Sequence, residues 1–147
     1  DLLVASSPKQ ALAGADIICT ATTSLSPVFN GSNLKTGMHI NAVGAFTPEM
    51  QEVDAETIRR ALVVVDSREG ALAEAGDLIS PISAGVVGAD HIHAELGEIV
   101  AGEKPGRTTP EQITYFKSSG VAVQDVAAAQ IAFAGSERLG LGTMVSL

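Results

Sequence analysis

The sequence predicts an α/β fold built on a parallel sheet. Three observations carry this. Short β-rich runs alternate with helical patterns along the chain. Two of those runs, Ile17 to Ala21 and Leu62-Val63-Val64-Val65, are continuously apolar, as expected of strands covered on both faces. Helix-start signals follow the runs closely: Ser6-Ser7 ahead of Pro8, and Ser67 behind Asp66. Right-handed crossovers between parallel strands then place helices on both faces of the sheet.

Taken in order, Leu2-Leu3-Val4-Ala5 reads as the end of a strand. Ser caps and Pro8 opens a short helix through Ala11-Leu12-Ala13, stopped at Gly14. The strand Ile17–Ala21 leads into a loop marked by Pro27, Asn30-Gly31 and Lys35-Thr36-Gly37. The next strand, Met38 to Val43, ends at Gly44. Asp54 or the residues before it start a helix through Arg60, and Ala61 to Asp66 is the clearest buried strand. Ser67 caps a helix from Arg68 to about Ala75, and Gly76 ends it. Leu78 to Gly88, punctuated by Ser, Gly and Pro, reads as irregular. Asp90 caps a helix from His91 to about Ala101, closed by Gly102. Lys104 to Pro110 is a turn-rich loop, Ile113 to Phe116 has strand character, and Val121 to Phe133 forms a long Ala-rich helix. The strands near 17–22, 39–43 and 62–66 are expected to be adjacent.

The 147 residues, 46% apolar, suffice for one domain with a real core. No run reaches the ~18–20 apolar residues of a membrane span. Nine basic against 17 acidic residues give −8, with 3% aromatics and no basic cluster. That balance argues against nucleic acid and anionic membranes as partners. A single cysteine leaves no internal disulfide and no Cys-based metal site, which fits a reducing, cytoplasmic setting. The chain opens Asp1-Leu2-Leu3-Val4 without Met, so it is expected to be a piece of something longer.

Ligands of open parallel sheets bind beyond the carboxyl ends of the strands. Cys19-Thr20-Ala21-Thr22-Thr23-Ser24 delivers a cluster of hydroxyls there, suited to ribose or phosphate, or simply to satisfying loop backbone. Val43-Gly44-Ala45 offers bare backbone for a flat ring, or a tight turn. Two such ends on neighbouring strands point to a nucleotide cofactor. Glu49, Glu52 and Asp54 are candidates for acid–base work, solvated loop acids being the commoner outcome. Asp66 points toward the same edge or caps a helix. Lys117-Ser118-Ser119-Gly120 precedes the long helix and either attracts an anion or caps it. His91 and Glu95 share a helical face but lack a third ligand, so no metal is expected. His39 is read as structural, Cys19 as a buried small apolar residue, and Glu98 and Lys104 as surface charges. There is no Gly-x-Ser-x-Gly elbow and no Walker loop.

Several ordered stretches resemble the ornithine cyclodeaminase/mu-crystallin family. They are Ala15-Asp16-Ile17-Ile18-Cys19-Thr20-Ala21-Thr22, Gly37 to Ala45, Val65-Asp66-Ser67, Ala94-Glu95-Leu96-Gly97-Glu98, Lys104-Pro105-Gly106-Arg107, Phe116 to Gly120, and Val123 to Ala129. The resemblance runs from about Ser6 to Phe133. It implies the second half of a Rossmann-type sheet that binds NAD(H) or NADP(H), the glycine-rich fingerprint lying upstream. Residues 1–118 would belong to that domain. Residues 119–147 would be a C-terminal helix and tail returning to a substrate and dimerisation domain, in a homodimer.

Carried over by position, Thr20, Val43, Gly44, Ala45 and Ser118 match cofactor contacts, and Ser119 sits where a substrate-pocket residue is expected. Ornithine cyclodeaminases carry Gly-Gly-Asp-x-Pro-Gly-Lys after this strand. Here Gly44-Ala45-Phe46-Thr47-Pro48-Glu49-Met50 puts Phe46 at the catalytic Asp and Met50 at the Lys. Losing a positioned acid–base group costs ~10²–10⁴ in rate. The resemblance therefore implies reduction of cyclic ketimines such as Δ1-pyrroline-2-carboxylate, the proton coming from water, from a residue upstream, or from Glu49. Ornithine cyclodeamination, amino acid dehydrogenation and a non-catalytic nucleotide or small-ligand binding protein are the alternatives. The chain alone is expected to be inactive and to bind NAD(P)H weakly.

Overall fold

A computed structural model describes residues 2–143 and 145. Five parallel strands form one sheet: β1 (Ile17–Thr20), β2 (His39–Ala42), β3 (Leu62–Val65), β4 (Ile92–Glu95) and β5 (Thr114–Lys117), in spatial order β1-β2-β5-β3-β4. The last strand thus inserts between β2 and β3, which are not neighbours as the sequence suggested. Tyr115 pairs with Ile40 on one side and Val63 on the other. Six α-helices accompany the strands among the described residues: α1 (Pro8–Leu12), α2 (Ala55–Arg60), α3 (Arg68–Glu74), α4 (Gly76–Ser83), α5 (Leu96–Val100) and α6 (Ala122–Leu139).

The caps follow the sequence. Ser7 accepts from the Gln10 N–H with Pro8 in the first turn, Asp54 accepts from Thr57, and Ser67 accepts from Gly70. Gly14 leaves α1 at φ 87°.

The core lies on one face of the sheet. Ile40, Ala42, Val63, Val65 and Tyr115 point into it and meet Leu12, Ile58, Ala71, Ala75 and Leu78 from α1 to α4. On the other face, α5 and the loop carrying Arg107 cover part of the sheet. A hollow of about 530 Å³ remains there, lined by His39, Asn41, Leu62, Val64, Ile99 and Phe116. Helices do flank both faces, but unequally.

Several expectations are corrected. Residues 2–5 form no strand, and Leu2, Leu3 and Val4 are exposed, with no neighbour to complete a ladder among the described residues. Among the described residues β1 lies at the end of the sheet and only one of its faces is covered: Ile17 is 64% exposed. Cys19, on the same open face, is exposed rather than buried. Gly76 does not end a helix region but opens α4, which runs through Pro81 where an irregular segment was expected. The reason is packing: a Cβ on Gly76 would strike the carbonyls of Met50 and Pro48. The expected helix from His91 is instead a 3₁₀ turn (Ala89–His91), β4 and the short α5. Alternating burial of Ile92 and Ala94 is a strand signal that the charged residues around them masked. α6 extends to Leu139, past Phe133, and stops at Gly140, φ 64°.

Candidate functional site

Because all five strands are parallel, their carboxyl ends share one rim. Three neighbouring ends, those of β1, β2 and β5, deliver Thr20-Ala21-Thr22, Val43-Gly44-Ala45-Phe46 and Ser118-Ser119-Gly120. The ladder continues into this rim: Val43 N donates to Thr20 O at 2.9 Å and Ser118 N to Ala42 O at 3.1 Å. Thr20, Val43, Gly44, Ala45, Ser118 and Ser119 are therefore brought together, although nearly 100 residues separate the first from the last.

Two carboxylates hold the rim from below. Glu52, expected as a solvated loop acid, is completely buried. Its Oε2 accepts from Thr20 Oγ1 at 3.0 Å, Gly44 N at 2.8 Å and Ala45 N at 3.2 Å, and its Oε1 accepts from Thr22 N at 2.5 Å. The Thr20 hydroxyl is thus committed to the protein and does not face outward. Burial alone would raise the Glu52 pKa; the bonds from Thr22, Gly44 and Thr20 outweigh it and hold the group below its ordinary value. The loops are so close that a Cβ on Gly44 would collide with the Thr22 backbone and the Glu52 carboxylate.

Asp66 does the same for the β5 end. Its Oδ2 accepts from Ser118 Oγ at 3.1 Å and from the N–H groups of Ser119 and Gly120, both at 2.8 Å. These amides were expected to attract an external anion or to be capped by serine; they bind Asp66 instead, and the N-cap of α6 is Val121 without a side-chain bond. Ser119 Oγ is buried with no hydrogen-bond partner among the described residues. Val43 and Phe46 stand half-exposed on the rim, and Glu49 is exposed.

Beneath lies a polar network that the sequence reading missed. Asp77 Oδ1 accepts from Glu52 N at 2.7 Å and Val53 N at 3.0 Å, and its Oδ2 accepts from Tyr115 Oη at 3.1 Å. Lys117 Nζ, fully buried, lies 3.9 Å from Asp77 Oδ2 and 3.4 Å from Ala42 O. Desolvation pushes Asp77 up, Lys117 down and the Tyr115 phenol well up. Strand alternation was the available signal: Tyr115 and Lys117 are two apart, so they face the same core.

Away from the rim, the histidines are tied to structure. His39 bonds Thr114 Oγ1 at 2.7 Å and Asn41 Oδ1 at 3.0 Å, while His91 and His93 reach the carbonyls of Ile58 and Pro105. Among the described residues, no three His, Cys, Asp or Glu side chains are grouped to hold a metal. Nor is any described helix long and apolar enough to cross a membrane.

Comparison with known proteins agrees with this fold. The model of the ornithine cyclodeaminase/mu-crystallin family matches residues 1–136. A Δ1-pyrroline-2-carboxylate reductase of Bacillus cereus is 47% identical over 139 residues, covering 94% of this chain and 42% of that protein. The ketimine reductase mu-crystallin of Mus musculus is 46% identical over 133 residues, covering 90% of this chain and 40% of the relative. The solved Δ1-pyrroline-2-carboxylate reductase of Thermococcus litoralis, in complex with NADH and L-proline, superposes with a TM-score of 0.90 at 45% identity, over 96% of this chain and 44% of that one. The chain spans less than half the length of these relatives.

Proposed function

The chain belongs to the ornithine cyclodeaminase/mu-crystallin family, and we propose that the protein reduces cyclic ketimines such as Δ1-pyrroline-2-carboxylate to proline-type amino acids with NADH or NADPH. The observation that carries this reading is the rim: three adjacent strand ends, clasped by Glu52 and Asp66, form a floor of backbone and small side chains. Residues 1–118 are read as part of the cofactor-binding domain. Residues 119–147 are read as the helix and tail that pack toward a substrate and dimerisation domain in a cytoplasmic homodimer. The exposed Val123, Val126, Ile131 and Phe133 of α6 support such a contact.

The residues present fit the nicotinamide end of the cofactor. Val43 and the backbone at Gly44 offer an open surface, with Ala45 buried behind them, and Ser118 borders it. The unpartnered Ser119 hydroxyl is an orphan that a bound ligand would satisfy, which suits the carboxylate of an amino or imino acid. The reduced nicotinamide supplies the hydride when bound. Phe46, 52% exposed on the rim, would lie against a flat ring bound there and keep water from it. It cannot move a proton, so the proton that reaches the imine nitrogen comes from water or from another residue. Expulsion of ammonia from ornithine, which needs a positioned acid–base group, is disfavoured by the same side chain.

The test uses the full-length protein. NADH and NADPH consumption with Δ1-pyrroline-2-carboxylate is measured beside proline formation from ornithine. Saturable reduction with little ornithine turnover is expected. Efficient conversion of ornithine overturns the preference for a reductase, and cofactor binding without turnover of either substrate turns the reading to a binding protein.

A further inference from the structure

We propose that Glu52 is the positioning residue of the cofactor rim, fixing the β1 and β2 exits as one rigid surface against which the nicotinamide end lies. The inference rests on the reading of that rim as the nicotinamide site. Glu52 touches neither cofactor nor substrate; it acts through the backbone that does.

The geometry is specific. One carboxylate receives four donors from two separate loops: the Thr20 hydroxyl and Thr22 N–H from the first, the Gly44 and Ala45 N–H groups from the second. All four demand an acceptor. Without it the Thr20 hydroxyl and the Ala45 N–H, both on buried residues, lose their acceptor in a space without water, and the Thr22 and Gly44 amides lose theirs at its edge. The segment that carries Glu52 is itself held, since its own N–H and that of Val53 bind Asp77. The arrangement therefore runs from a buried anchor, through one side chain, to two loops of the rim. Charged acceptors bind N–H groups more strongly than neutral ones, and the lowered pKa of Glu52 agrees with an ionised acceptor.

Glu52→Gln is close to isosteric but turns one of the two acceptor oxygens into a donor. That –NH₂ then faces N–H groups or the Thr20 hydroxyl, and the two loops part. In the full-length enzyme, KM for NADH is expected to rise at least about tenfold, with kcat at saturating NADH within about threefold of the parent. Thr20→Val removes one donor of the four and is expected to raise KM by about threefold. Glu52→Asp keeps the charge but withdraws it by one methylene, and is expected to fall between the two.

A merely structural role reads differently. It lowers the melting temperature and the fraction of active enzyme, which reduces apparent kcat and leaves KM unchanged. Parent-like KM for NADH in folded Glu52→Gln overturns the proposal. Should that variant fail to fold, parent-like KM in both Glu52→Asp and Thr20→Val overturns it instead. If the parent itself neither binds nor oxidises NADH or NADPH, the reading of the rim fails, and this inference with it. A parent that works normally beside unaffected variants removes this inference alone.

Discussion

The two faces of the sheet are built differently. On the covered face, Ile40, Val63, Val65 and Tyr115 are wholly inaccessible and meet four helices. On the other, Ile17 is 64% exposed, Cys19 is open, and a hollow of about 530 Å³ runs over β2 and β5. The covered face also holds Glu52, Asp77, Tyr115 and Lys117, the groups that anchor the β1 and β2 ends of the rim, while Asp66 holds the β5 end. The stability of this chain and the β1 and β2 side of its candidate site are therefore set from the same face. The open face contributes little to core packing within the described residues.

The most severe way to break that arrangement is Asp77→Ala. It strips a partner from Glu52 N, Val53 N, Tyr115 Oη and Lys117 Nζ at once. A loss of ~3–5 kcal/mol is expected, because an ammonium stays buried unpaired; urea denaturation measures it, and a loss under ~1 kcal/mol would mean water reaches the network. Next in size is a matched pair of truncations. Ile40→Ala should cost ~2–5 kcal/mol, while Ile17→Ala on the open face should cost ~0.5 kcal/mol or less. Equal midpoint shifts would erase the contrast between the faces.

Acid offers a smaller probe. The folded pKa of Glu52 lies below its ordinary value of 4.5, so the folded state binds fewer protons than the unfolded state near that pH. The stability this group contributes is present above pH 4.5 and is lost as pH falls through the folded pKa. Asp77, raised by burial, titrates in the opposite sense, but it does so with or without Glu52. The stability difference between parent and Glu52→Gln should therefore shrink on acidification below about 4.5; a difference independent of pH would mean Glu52 is not ionised. The smallest effect belongs to Ser119→Ala. Its hydroxyl has no partner to lose among the described residues, so stability should change by less than ~1 kcal/mol, while KM for the ketimine rises. Unchanged KM would leave Ser119 outside the pocket.

Much of the covered face was legible in the sequence because local rules govern it. Ser7, Asp54 and Ser67 cap the helices they announce, and the run Leu62–Val65 is the buried strand its composition implies. Strand order was not legible, since nothing local tells β5 to insert between β2 and β3. Ile17–Ala21 is apolar enough to be covered on both faces, yet among the described residues nothing packs over Ile17 and Cys19. Thr20, Gly44 and Ser118 could be placed at strand ends, and they do converge. The carboxylates beneath them could not: Glu52 looks like any loop acid until the fold brings 20, 22, 44 and 45 around it. Pro81 concealed α4 because proline lacks the N–H that would donate to the carbonyl four residues back, a single bond that this short helix forgoes.

The Lys117–Asp77 pair also sets the order in which substitutions can accumulate in this core. If Lys117 is replaced first, by methionine for instance, Asp77 still accepts from two backbone amides and the Tyr115 hydroxyl. If Asp77 is replaced first, Lys117 keeps only the Ala42 carbonyl at 3.4 Å among the described residues, and its charge is stranded. Both routes end at the same apolar pair, yet the first passes through the less destabilised intermediate. A lineage drifting toward a drier core would therefore cross this point in one direction, lysine before aspartate.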